Sequence, residues 1–277
     1  MSIFSVDIDD LVADVDEARK KGQEYSSDYQ NAYPYPHICI DDFLPLDVVQ
    51  RVRADALDLG EKQPEHASKQ EHLKTSFKPE KLPFYSRTAL MALNSPAFLG
   101  FLEEMTGIVG LIPDPYFFGG GIHRTNNGGF LGIHADFNQH PEMFLERRLN
   151  VLIYLNPDWK AEYGGAFEIW TKDMKERVAA FEPLLNRMCC FSTTSDSYHG
   201  NPEPVDHPKG DPRLSIAMYY YTATWSDAKV QHSTLFKPRP GSTDQKAGRE
   251  HRRRYAKMLL PPLAYKYLER PLKKIGL

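Results

Sequence analysis

A chain of 277 residues that is 41% hydrophobic and 26% charged has the material for one substantial buried core. Its net charge of −3 at pH 7 is too small to mark a nucleic-acid or polyanion binder, and no run approaches the roughly 18 apolar residues that span a membrane. The start, Met-Ser-Ile-Phe-Ser-Val-Asp-Ile-Asp-Asp, has neither the basic nor the apolar segment of a secretory signal, and the three cysteines (Cys39, Cys189, Cys190) are odd in number. Reduced thiols and a cytoplasmic location are therefore expected.

Ile8, Leu11, Val12, Val15 and Ala18 fall at helical spacing and predict an amphipathic helix over 6–21, ended by Tyr33-Pro34-Tyr35-Pro36. His37 to Ile40 reads as a short strand. A second helix follows Pro45, with Asp47 near its start and Val48, Val49, Val52, Ala56 and Leu57 as its apolar stripe. Residues 60–83 are polar and aperiodic, with Pro64, Pro79 and Pro83, and predict a mobile lid. Ser95, Pro96 and Gly107 punctuate a third helix as N-cap, first turn and stop. From Tyr116 the texture becomes short apolar or alternating runs: 116–124, 130–135, 149–155, 166–170, 177–182, 188–192, 196–199 and 213–223. Eight short strands without long intervening helices predict a sandwich or jelly roll. The expected layout is an N-terminal helical support region (1–115), a β core (116–225) and a basic C-terminal appendage (226–277).

Within Gly132-Ile133-His134-Ala135-Asp136, the two-residue spacing puts His134 and Asp136 on one face of an extended strand, where both can ligate one metal. His199, in Ser197-Tyr198-His199-Gly200, supplies a second strand end that could bring another imidazole across the barrel. Two histidines and a carboxylate leave coordination positions open, a geometry that favours non-haem Fe(II). Such an iron needs a cosubstrate that delivers electrons. Alternation along Arg213 to Tyr221 puts Arg213, Ser215, Ala217 and Tyr219 on one face. The guanidinium fork and the Ser215 hydroxyl suit the far carboxylate of a dicarboxylic acid.

His134-x-Asp136, His199 and Arg213-x-Ser215 together resemble the Fe(II)/2-oxoglutarate-dependent dioxygenase superfamily, in its prolyl-4-hydroxylase-like branch. Arg148-Leu149-Asn150-Val151-Leu152-Ile153-Tyr154-Leu155-Asn156-Pro157-Asp158-Trp159 and Gly164-Gly165-Ala166-Phe167-Glu168-Ile169-Trp170 are similar to the core of the oxygen-sensing prolyl hydroxylases, and Ile40-Asp41-Asp42-Phe43-Leu44-Pro45 is a weaker echo. The resemblance implies a mainly β fold with flanking helices, the double-stranded β-helix. It implies iron on His134, Asp136 and His199, 2-oxoglutarate and O₂ as cosubstrates, and ascorbate as a candidate reductant. It also implies that Tyr154 contacts the 5-carboxylate of 2-oxoglutarate beside Arg213. The expected chemistry is hydroxylation of an unactivated C–H bond in a prolyl residue, an amino acid or a related small molecule, free or within a peptide. The chain departs from the pattern at His123-Arg124-Thr125, where the oxygen-sensing members carry a tyrosine, and in the fourteen-residue step from His199 to Arg213, longer than is usual.

Other residues have blander readings. His123 either lines the substrate pocket or is a structural histidine, and His140, His207 and His232 are expected at the surface. Arg147 and Arg148 either meet an acidic substrate at the barrel mouth or, the favoured reading, frame their strand and pair with nearby acids. Lys246, Arg249, Arg252, Arg253, Arg254 and Lys257 read as a solvated helix face. Two rival classes stay open: a cupin-type barrel using Zn or Mn without 2-oxoglutarate, and a non-catalytic binding protein.

Overall fold

The computed structural model describes residues 2–9, 13–59, 70–226 and 229–244. Five helices come before or among the first strands: α1 (Val15–Glu24), α2 (Ser26–Gln30), α3 (Leu46–Asp58), α4 (Phe84–Ala92) and α5 (Pro96–Thr106). The strands are β1 (His37–Ile40), β2 (Glu71–Phe77), β3 (Ile112–Pro113), β4 (Gly121–Ala135), β5 (Glu146–Tyr154), β6 (Phe167–Trp170), β7 (Arg177–Phe181), β8 (Met188–Ser192), β9 (His199–Asn201), β10 (Arg213–Thr222) and β11 (Leu235–Phe236). Their hydrogen-bonded order, β1-β8-β5-β10-β4-β9-β6-β7, is antiparallel throughout and forms the expected double-stranded β-helix. Among the described residues no helix is long and apolar enough to cross a membrane.

Alternation decides which side chains reach the interior. On β10, Leu214, Ile216, Met218 and Tyr220 point outward into a core shared with Leu149, Val151 and Ile153 of β5. The helices cover that face, with Phe4, Phe43, Phe98 and Phe101 in edge and stacked contact; the Phe4 and Phe98 rings are 5.0 Å apart. Truncating a buried ring such as Phe98 to Ala costs about 3–5 kcal/mol. α5 is punctuated as expected: Ser95 accepts a hydrogen bond from Phe98 N, and Gly107 ends the helix at φ 72°. All three cysteines are free thiols, with Cys39 opposite Cys189 across β1 and β8.

The structure corrects several boundaries. The first helix begins at Val15, because the Asp14 side chain caps it through Glu17 N, while Val6 and Ile8 are buried ahead of it in non-helical chain. Leu11 and Val12 lie outside the described residues. α4 was not anticipated, since its short apolar stripe follows directly on Pro83. The runs 116–124 and 130–135 are not two strands. One long β4 pairs with β10 through its first half and with β9 and β11 through its second, while β2 pairs with it along both, so it crosses from one sheet of the barrel to the other. Of the expected lid 60–83, residues 60–69 lie outside the described residues, but 71–77 form β2, hydrogen-bonded to β4. After Trp225 the chain does not simply trail away: Leu235–Phe236 adds β11 to β4. The basic cluster from Lys246 to Lys257 lies outside the described residues.

Candidate active site

Register puts the predicted ligands together. His134, near the end of β4, lies directly opposite His199, the first residue of β9, with ring centroids 4.4 Å apart. Gly200 permits this approach: a Cβ there would meet the carbonyl oxygens of Leu131 and Gly132 at 2.8 Å. Asp136 follows the strand end, so that one potential ligand atom from each of His134, Asp136 and His199 falls within 4.8 Å of the others, all three residues buried.

The imidazoles are oriented for coordination. Nδ1 of His134 donates to Gly132 O and Nδ1 of His199 to Ser197 O, each at 2.9 Å, which fixes both rings and turns each Nε2 toward Asp136. Those Nε2 atoms stand 3.5 and 3.6 Å from the Asp136 carboxylate oxygens. Burial, then the neighbouring His134, hold the His199 pKa down to about 3, so its imidazole is neutral at pH 7. Burial alone would raise Asp136, but the Arg147 charge and the two imidazoles outweigh it and hold the carboxyl well below its usual range. Two imidazole nitrogens and one carboxylate converging on one point are a donor set that fits a divalent transition metal.

Arg147 is the unexpected member. It is 2% exposed, lies 2.9 Å from Asp136 through Nη2, and is sandwiched between the rings of Tyr219 and Phe137, 3.7 and 4.4 Å from the guanidinium carbon. Asn150 also donates to Asp136, at 3.2 Å. Strict alternation from Tyr154 through Leu152 and Asn150 would have aimed Arg148 inward. A bulge between Tyr220 and Tyr221 slips the register so that Arg147 takes that place, while Arg148 donates to Thr222. The acid that pairs with Arg147 is thus a candidate metal ligand rather than a residue of the strand's frame.

A cavity of about 210 Å³ joins this cluster to the inward face of β10. At its far end Arg213, 5% exposed, donates from Nε to Gly165 O at 2.7 Å and from Nη2 to the Tyr154 hydroxyl at 3.4 Å. Ser215 sits opposite Tyr154 on one side and His123 on the other. Among the described residues no carboxylate pairs with Arg213. Gly165, at φ 69°, is required beside it, because a Cβ there would lie 2.8 Å from Arg213 Cδ. The turn carrying Gly164 and Gly165 is braced by Trp159, which donates to Gly164 O and stacks on His207. His207 is therefore buried, contrary to the surface position expected of it, because the long hairpin of residues 203–212 folds back onto Trp159 and Tyr163. His140 is buried too, 3.3 Å from Asp114 and ringed by Tyr116, Phe118 and Tyr221.

His123 does line the cavity, its Nε2 donating to Gly119 O at 2.9 Å; burial and the Lys74 charge hold its pKa well below the ordinary histidine value. Phe236 of β11 covers His134 at 5.3 Å between ring centroids. Lys74 and Glu71 of β2 complete the wall. Nothing in the local sequence marks these last three.

Residues 120–221 match the 2OG-Fe(II) oxygenase superfamily. The core of this chain matches that superfamily. The same architecture recurs in a Pseudomonas putida prolyl-4-hydroxylase, at 18% identity and TM-score 0.51, over 73% of this chain and 98% of that one. It recurs also in a Trichoplax adhaerens prolyl hydroxylase solved with a hypoxia inducible factor oxygen degradation domain peptide, at 16% identity and TM-score 0.54, over 76% and 95%. At these identities the likeness is one of fold. Curated proteins yield no match.

Proposed function

We propose that this chain is an Fe(II)- and 2-oxoglutarate-dependent dioxygenase that hydroxylates an unactivated C–H bond of a prolyl residue, an amino acid or a related small molecule. The observation that carries the reading is Arg213: a buried guanidinium without an acidic partner among the described residues, facing the same cavity as two imidazoles and a carboxylate with converging lone pairs. A buried cation left without a counter-charge is costly, and a dicarboxylate supplies one. A barrel that used a metal without 2-oxoglutarate would leave that charge uncompensated.

In this reading His134, Asp136 and His199 hold iron. Bound there, iron would supply the oxidising chemistry in which C–H, O₂ and 2-oxoglutarate become C–OH, succinate and CO₂, ascorbate serving only to re-reduce iron oxidised outside that conversion. Arg213 grips the 5-carboxylate through its fork, Ser215 donates a further hydrogen bond, and Tyr154, whose hydroxyl accepts from Arg213, has its proton left for the same carboxylate. Arg147 and Asn150 fix the Asp136 rotamer from behind. The phenyl rings of Phe167, Phe191 and Phe236 pack on the imidazoles and keep water from them. The prolyl hydroxylases of the same fold support a prolyl or related target without fixing it. Succinate formation and iron content, measured on purified protein with Fe(II), 2-oxoglutarate and O₂, test the proposal; iron bound without any 2-oxoglutarate turnover overturns it.

A further inference from the structure

β2 carries two charges that strict alternation would separate. Glu71 and Lys74 are three residues apart, so on a regular strand they would face opposite sides. Instead the register of β2 against β4 slips between His72 and Lys74, and Leu73 sits at φ 50°, a left-handed conformation costly for a branched side chain. The bulge turns both side chains to the same face. Bulges that re-aim a side chain are over-represented beside active sites.

That face is the cavity. Glu71 lies opposite Leu131 and Lys74 opposite Thr125, and all four line the space that holds His134, Asp136 and His199. Lys74 Nζ lies 2.9 Å from Glu71 Oε1, with the side chains 18% and 24% exposed. The Lys74 charge reaches His123 on the neighbouring strand β4 and Tyr219 on β10. The pair is therefore largely dehydrated, and a molecule filling the cavity it lines dehydrates it further.

Resting on the dioxygenase reading above, we infer that Glu71 and Lys74 recognise a free zwitterionic amino acid, its ammonium at Glu71 and its carboxylate at Lys74. A zwitterion carries both charges on one carbon and so presents the mirror image of this close pair. A simple anion would meet Glu71 and a simple cation Lys74, each a repulsive contact that costs affinity. A prolyl residue within a peptide has both groups tied up as amides, and would dehydrate the pair while returning no charge to either member. The Arg213 end, already committed to 2-oxoglutarate, leaves Lys74 as the cation available to a second carboxylate.

The test uses the iron-loaded enzyme with 2-oxoglutarate, and proteinogenic L-amino acids offered as the free acid, the amide, the N-acetyl derivative and within a short peptide. Succinate formation above the substrate-free rate should rise with at least one free amino acid and fall away for its amide and N-acetyl forms. K74M should raise the KM for that amino acid on the order of 10- to 100-fold, the loss of one charge-assisted contact. K74R should recover most of it, and the KM for 2-oxoglutarate should move less. Calorimetric titration of the same free amino acids into Mn(II)-loaded protein gives a readout that does not depend on turnover. If iron binds but 2-oxoglutarate is never consumed, the dioxygenase reading fails while the titration still reads the pair. Stimulation by peptides or amides equal to that by the free acid, an unchanged KM in K74M, or binding by no free amino acid in either assay overturns the inference.

Discussion

Replacing Arg213 with Met should leave one quantity nearly unchanged and sharply lower another. In the ligand-free protein Arg213 donates only to neutral groups, the Gly165 carbonyl and the Tyr154 hydroxyl. Losing those bonds costs about 0.5–1.5 kcal/mol each, but the substitution also removes a charge buried without a counter-ion, whose desolvation penalty is of similar or greater size. The net change in the unliganded fold should therefore lie within about 1 kcal/mol, a shift of only a few degrees in the melting temperature. The 2-oxoglutarate complex is different, because there the guanidinium faces a carboxylate. Truncating one member of such a pair costs about 2–5 kcal/mol, or roughly 30- to several-thousand-fold in affinity. Thermal melting with Mn(II), with and without 2-oxoglutarate, reads both quantities. At a ligand concentration about 100 times the wild-type Kd, 2-oxoglutarate should add about 2.7 kcal/mol to the wild type; for a variant weakened about 100-fold, the same concentration adds about 0.4 kcal/mol. R213K should fall between, since an ammonium cannot reproduce the fork. A full 2-oxoglutarate shift in R213M would refute the assignment of Arg213.

His134→Ala and His199→Ala should each lose iron and succinate release together, because two protein ligands remain where three converged; wild-type iron content in either variant removes that residue from the site. R147M should destabilise the metal-free protein by about 3–5 kcal/mol, since it strands the Asp136 carboxylate in the interior, and the double variant D136N/R147M should be more stable than the sum of the single losses by about 0.5–3 kcal/mol; additive denaturation midpoints would mean the 2.9 Å pair is not coupled. His123 is held neutral by burial and by the charge of Lys74, so the unfolded chain binds its proton more readily than the folded one. Its contribution to stability is present above the unfolded pKa of about 6.5 and is lost as pH falls below it; H123Q should therefore lose less melting temperature than the wild type between pH 7 and pH 5, and equal losses would place the acid sensitivity elsewhere. With Asp136 proposed as an anionic third protein ligand, the product should gain oxygen and not chlorine even in high chloride, and a chlorinated product by mass spectrometry would contradict that.

What could be read from the sequence is what regular periodicity encodes. Alternation along β10 separated Arg213, Ser215 and Tyr219 from the core-facing Leu214, Ile216 and Met218, and the two-residue step from His134 to Asp136 survived because the chain stays extended through Ala135. Ser95 and Gly107 marked their helix because capping is local chemistry. The residues that went unread sit where periodicity breaks. The bulge opposite Tyr220 and Tyr221 exchanged Arg147 for Arg148, and the left-handed Leu73 hid β2 inside a segment that looked aperiodic. His207 was misplaced because a long hairpin folded back over Trp159, a contact that no local pattern announces. The pairing of Leu235 and Phe236 with β4 depends on partners a hundred residues upstream.

That last pairing also bears on how the protein can be handled. β4 would otherwise offer the backbone amides and carbonyls around His134 and Ala135 to any passing extended chain, and uncovered strands of this kind template aggregation. The segment from Lys229 to Asp244 shields them: Lys237 N donates to Ile133 O, Asn138 exchanges hydrogen bonds with Val230 and His232, Lys229 reaches Glu146, and Arg239 is clasped by Asp244 and Glu203. Shortening the protein to its barrel strands, by stopping near Thr222, would remove this guard along with the Phe236 ring over His134, trading a tidier boundary for a sticky one.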